Sequence, residues 1–275
     1  KKKKKKSNMT ALNHLLCTLT LILFLNNALQ PIESRQHRER DRKNRHRGSE
    51  PSSLASQQHT IIETKVEPIN LCSKGRDMKL VCHCSPNSEN AENIRATKAE
   101  CWIFRNDLKK TDPDWTAFHS QSSLESLAFS IHGTGNLSFI PTSVIQPLRH
   151  LKKLTIEFAE IHNVDSHAFG NFTRIHNISL PNNQIRTLAA KSFANHMDLR
   201  ELSLCHNEII EVDAFSFENL PELNRLNLEH NRIEVLHEET FDNLDKLTEL
   251  LLSHNNIGIL AREMFKGLIN LEILK

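Results

Sequence analysis

Residues 199–231 read LRELSLCHNEIIEVDAFSFENLPELNRLNLEHN, and the frame LxxLxLxxN occurs in them twice, 24 positions apart. Leu199, Leu202, Leu204 and Asn207 return as Leu223, Leu226, Leu228 and Asn231. Outward from this pair the frame continues as Leu151-x-x-Leu154-x-Ile156, Ile175-x-x-Ile178-x-Leu180 and Leu247-x-x-Leu250-x-Leu252. Phe169, Phe193, Phe217, Phe241 and Phe265 keep the same 24-residue step. A looser first unit begins at Leu124, Leu127 and Phe129 and takes 27 residues to reach Leu151. A seventh opens with Leu271 and Leu274. A fixed period in the twenties marks a solenoid, because each unit is too small to bury its apolar side alone and must stack on its neighbours. Such a chain offers a surface before it offers a reaction.

The middle of LxxLxL suits a short strand whose apolar residues alternate inward, and stacked strands then form one parallel sheet. Asn183, Asn207, Asn231 and Asn255 follow at the turn after the strand. The chain leaves the sheet there while still buried, so its backbone polar groups need partners. A ladder of side-chain amides, each with donor and acceptor, supplies them. Ala159 stands where the ladder expects Asn, which predicts a locally weaker turn in the second unit. The phenylalanines fill the opposite, wider side of each coil.

The spacing resembles the leucine-rich-repeat family in its 24-residue extracellular form, over residues 124–275. The resemblance implies an α/β solenoid with a curved parallel β-sheet on the concave face and loops and short helical turns on the convex face. It also implies a disulfide-bonded N-terminal cap. Cys72, Cys82, Cys84 and Cys101 lie directly before the repeats as C-x9-C-x-C-x16-C, where an apolar first coil needs a lid. An even set behind a secretion signal reads as two disulfides, with three connectivities open. A four-cysteine zinc site competes, but the C-x-C spacing departs from the usual paired knuckles. The family's usual cap would join Cys72 to Cys84 and Cys82 to Cys101. Trp102 and Trp115 lie beside this cap, where they are expected to cover the first coil. Cys205 is left over, either as a half-buried thiol replacing Ser or as a disulfide to a partner chain.

The ends read differently. Residues 1–8 resemble an extension ahead of Met9, and residues 9–28 a signal peptide. Its apolar stretch, Leu15 to Leu25, falls short of the roughly 20 residues a membrane span needs. Residues 29–69 form a linker, and residues 35–47 (RQHRERDRKNRHR) hold seven Arg or Lys and two acids. That run reads as a solvated segment, with heparan-type polysaccharide or proprotein cleavage as alternatives. Residues 70–123 form the cap, and residues 124–275 hold six full repeats and the start of a seventh. Lys275 falls inside a repeat strand, so further coils, a second cap and a membrane anchor are expected in a missing C-terminal part. The net charge of +2 hides an asymmetry: from Gly48 onward 22 basic residues face 30 acidic ones, a net of −8. Polyanion binding therefore belongs to the linker, and nucleic acid is not an expected partner.

Three sequons are present, at Asn136, Asn171 and Asn177. Asn177 falls on a strand facing the concave side, where a glycan would crowd binding. The outward strand positions form a candidate protein-binding face: Lys152, Lys153 and Thr155; His176 and Ser179; Arg200, Glu201 and Ser203; Asn224, Arg225 and Asn227; Thr248 and Glu249; then Glu272, with Phe158 as an exposed anchor. Basic residues come early and acidic ones late, so two antiparallel copies would place Lys152 and Lys153 near the partner's Glu249 and Glu272. Opposed charges steer such an encounter more than they strengthen it. Tyr is absent, so weak contacts acting in many copies are expected. His206, His230 and His254 recur just before the ladder Asn and form a histidine column, open to metal or pH response but ordinary in such repeats. There is no HExxH, GxSxG or GxxxxGK, so neither enzyme nor cofactor is expected.

The cap adds Cys101-Trp-Ile-Phe104 and Asp112-Pro-Asp-Trp115 to the four cysteines. With the irregular first repeat, these are similar to the insect leucine-rich-repeat cell-surface adhesion proteins, over about residues 70–275. The resemblance implies a lipid-anchored protein on the extracellular face of the plasma membrane. It would mediate homophilic contact between motor neurons and muscles, its partner another surface protein or itself.

Overall fold

The computed structural model describes residues 70–72, 79–85, 96–170 and 174–275. The extension, the leader, the basic run at 35–47 and the sequon at Asn171 lie outside the described residues. Strand β1 (Leu80–Ser85) pairs antiparallel with β2 (Lys98–Ile103), and from β2 onward every pairing is parallel. The main sheet continues through β3 (Ser126–Ile131), β4 (Lys153–Glu157), β6 (Asn177–Ser179), β8 (Glu201–Ser203), β10 (Arg225–Asn227), β11 (Glu249–Leu251) and β12 (Ile273–Leu274). A second sheet of three short strands, β5 (Asn163–Val164), β7 (Thr187–Leu188) and β9 (Glu211–Val212), lines another side of the coils.

The register follows from the repeat: Leu154, Ile178, Leu202, Leu226, Leu250 and Leu274 stand abreast, pointing inward. On the far side Phe169, Phe193, Phe217 and Phe241 stack with centroids 5.3, 6.1 and 6.5 Å apart, all buried. Short turns make the convex surface, with α1 (Thr142–Ile145) and a 3-10 turn at Arg262–Phe265 as short helical pieces. The residue before each ladder position adopts positive φ: Phe158 60°, Asn182 55°, His206 54°, His230 55° and His254 60°. Asn and His tolerate that conformation, so the histidine column reflects a backbone requirement. Its rings stack at 4.1 Å, 9° and 11° from parallel, so they do not converge on a common point.

The asparagine ladder is built as expected. Asn207 accepts from Ile185 N at 3.2 Å and donates to Leu180 O at 2.8 Å and Leu204 O at 3.0 Å, tying two coils. Asn231 and Asn255 repeat the pattern on Ile209 and Ile233. Asn183 differs. Its Oδ1 accepts from Ala159 N at 2.8 Å, and its amide donates to Ile156 O at 2.9 Å. Asn183 thus makes the usual contact to the preceding coil's carbonyl but serves the Ala159 N–H, 24 residues back, where the other ladder residues serve an N–H 22 back.

In the cap, Cys72 bonds Cys84 and Cys82 bonds Cys101. Cys82 and Cys101 are direct cross-strand neighbours on β1 and β2. A 3-10 helix (Pro113–Gln121), capped by Asp112, drives Trp115 and Phe118 against Phe129. Lys79 Nζ pairs with Asp112 at 2.7 Å, and Lys79 N donates to Asp114 Oδ2 at 2.9 Å. Gly135 is required: a Cβ there would lie 2.1 Å from the Ile103 carbonyl oxygen. Because β2 already pairs with β3, the cap contributes a strand to the sheet that continues into the repeats.

Three expectations need correction. Trp115 covers the first coil, but Trp102 does not: strand alternation turns it onto the outer face of β2, half-exposed. Phe158 is no exposed anchor, since its positive φ folds it back, half-buried, against the core. Cys205 is not half-buried; it is fully buried behind β8.

Candidate protein-binding face

The concave face is a grid of columns set by strand register. In the first column stand Lys98, Ser126, Lys153, Asn177, Glu201, Arg225 and Glu249. The next holds Glu100, Ala128, Thr155, Ser179, Ser203, Asn227 and Leu251, and a third begins Trp102, Ser130 and Glu157. Lys152, His176, Arg200, Asn224, Thr248 and Glu272 sit one residue before the strands. They still belong to the sheet: each N–H from His176 onward donates to the preceding coil's carbonyl at 2.8–2.9 Å.

Neighbouring coils satisfy much of this surface's charge. Arg225 NH1 bonds Glu249 Oε2, Asn177 Nδ2 donates to Glu201 at 2.7 Å, and Lys152 Nζ pairs with Glu125 at 2.9 Å. At the side of the coils Glu208 bridges Arg186 at 3.2 Å and Arg232 at 3.3 Å. The early-basic, late-acidic order read along the chain is therefore partly spent within it, and Lys152 and Glu249 already have intrachain partners.

The amide of Asn177, the atom that would carry a glycan, lies on the concave face and holds Glu201. Asn136 lies off the sheet, and its amide donates to Glu160 at 2.5 Å. The positions that sequence reasoning passed over are Trp102, Phe104, Ser130, His132 and Glu157, at the amino-terminal end of the same face. For Trp102 and Ser130 the signal was present in the alternation of KAECWI and SLAFSI. Burial pushes the Glu157 carboxyl above the usual carboxylate range, with Glu100 adding to the push and the Ser130 hydrogen bond and His132 opposing it. Among the described residues no helix is long and apolar enough to cross a membrane.

A stacked parallel sheet with a buried asparagine ladder and a phenylalanine spine defines a leucine-rich-repeat protein. A model of the leucine rich repeat matches residues 197–257, and one of the BspA type leucine rich repeat region matches residues 114–216. The particular protein it resembles is connectin of Drosophila melanogaster, 37% identical over 123 residues, which are 45% of this chain and 18% of connectin. The chain thus spans less than a fifth of that curated relative. Among solved structures, the TLR13–ssRNA13 complex superposes with a TM-score of 0.55 at 29% identity, covering 66% of this chain and 24% of that one.

Proposed function

We propose that this chain is the recognition part of a non-enzymatic adhesion protein, exported through the leader at 9–28 and displayed at the cell surface, where its concave sheet binds protein. The observation that carries the reading is the likeness to connectin, resting on a solenoid whose cap is closed by two disulfides. Disulfides of this kind persist in oxidising compartments. Homophilic contact in neuromuscular development is the finer form of the reading. The sequons at Asn136, Asn171 and Asn177 are its proposed glycan sites, and residues 35–47 its contact with heparan-type polysaccharide. The solenoid's acidic balance supports a protein partner over RNA, because a net of −8 from Gly48 onward repels a polyanion.

Mixing two differently dyed cell populations, one expressing the protein and one not, tests this. Aggregates made only of expressing cells are expected. Aggregates that recruit non-expressing cells would replace self-recognition by a heterologous protein ligand. A protein retained in the cytosol would remove the surface reading altogether.

A further inference from the structure

The amino-terminal end of the concave face is unlike the rest. Trp102, Ser130 and Glu157 are register neighbours on β2, β3 and β4, so their side chains stand in one row on one face. Strands about 4.8 Å apart place Ser130 about 5 Å from each flank and Trp102 about 10 Å from Glu157. Phe104 and His132 lie one residue past the ends of β2 and β3, where the alternation of exposure continues, with rings stacked at a centroid separation of 6.0 Å. Phe104 is 48% exposed. Between these walls the floor is made of short side chains, Ala128, Ser130 and Thr155.

The carboxylate in this depression stands apart from its neighbours. Glu100 pairs with Lys98 at 2.6 Å, Glu125 with Lys152, and Glu249 with Arg225. Glu157 accepts from Ser130 Oγ at 3.0 Å and, among the described residues, forms no ion pair with a basic side chain. A half-buried carboxylate with its second oxygen uncommitted and aromatic rings a strand or two away lacks one component, a cation. Guanidinium fits better than ammonium, because its plane stacks on a ring while its fork reaches a carboxylate.

We propose that this depression docks an arginine side chain of a partner protein, its guanidinium lying over Ser130 against the Trp102 and Phe104 rings and bonded to Glu157. The proposal rests on the protein-binding reading above and names the part of the face that does the binding. It also places the contact away from Asn177, so an occupied sequon there leaves the docking row open. The partner's arginine is held at the cap-to-repeat junction, where Glu157 forms no ion pair among the described residues.

The test uses the secreted protein with its indole nitrogens labelled and N-acetyl-arginine amide as the probe. Two tryptophans make the readout internal. Trp115 is buried and its Nε1 donates to Lys109 O at 2.7 Å, so its signal should stay still while that of Trp102 moves and saturates. The citrulline analogue, equal in shape and uncharged, should produce no saturating shift. Glu157→Gln should weaken the arginine response roughly tenfold, as loss of a hydrogen bond to a charged group does. Lys266→Ala, exposed at the end of the 3-10 turn Arg262–Phe265 and outside the row, should leave it intact. Equal responses to arginine and citrulline, an unmoved Trp102, or an undiminished response in Glu157→Gln would each overturn the proposal. Dyed-cell aggregation by Glu157→Gln separates the two ideas: undiminished aggregation with no arginine response removes this docking row and leaves adhesion standing.

Discussion

The two ends of the concave sheet share one backbone register and are held by different means. From β6 to β11 each coil repeats the last, with a ladder Asn at its turn, a stacked Phe behind it and charges that bond across strands. From β1 to β4 the coils are irregular. Two disulfides and the Trp115–Phe118–Phe129 cluster hold them, Ala159 interrupts the ladder, and Glu157 forms no ion pair among the described residues. Repetition stabilises by making every neighbour contact alike. Departing from it requires another source of stability, and the stretch that departs is where distinctive side chains become available for recognition.

The contrast can be broken first in the regular half. Phe193→Ala removes a fully buried ring between Phe169 and Phe217 and should cost about 3–5 kcal/mol. Hydrogen exchange should rise mainly in the adjoining coils; uniform loosening from β3 to β12 would mean that the solenoid unfolds as one unit. The irregular half should be nearly as sensitive to its covalent ties. Replacing Cys82 and Cys101 together by Ser should cost about 2–5 kcal/mol, seen as a lower urea midpoint for the fluorescence of both tryptophans. An unchanged midpoint would leave the aromatic cluster as the sufficient anchor.

Asn207→Ala orphans Ile185 N–H and the Leu180 carbonyl in a buried turn, so a loss of about 1–3 kcal/mol is expected. The reverse change, Ala159→Asn, should add at most about 1 kcal/mol, because Asn183 already serves that turn. A large gain would show that the neighbour's help is incomplete. The smallest effect concerns acid. Burial raises the Glu157 pKa in the folded state, so its stabilising proton is fully bound below the ordinary glutamate range and lost as pH rises through the raised value. Glu157→Gln should therefore match the parent at low pH and melt slightly higher at neutral pH. A variant that is less stable at neutral pH would show that the carboxylate is already compensated.

Legibility followed periodicity. Leu202, Asn207 and Phe217 could be placed from the sequence because a 24-residue step fixes the direction of each side chain once one coil is understood. The second sheet of β5, β7 and β9 was missed, since pairs as short as Thr187–Leu188 leave no alternation to read. Phe158 misled because its left-handed φ is a local backbone state that its residue type disfavours. Trp102 misled for another reason: it lies in a cysteine-rich stretch whose neighbours suggest a lid.

By itself the sequence determined a stacked solenoid, its inward and outward positions and its buried amide ladder, because a repeat too small to fold alone admits few ways to hide its leucines. Only the tertiary structure decided which outward charges neutralise each other across coils, and that Glu157 forms no ion pair among the described residues. Those pairings join residues about 24 positions apart, and they depend on rotamers and burial that periodicity leaves open.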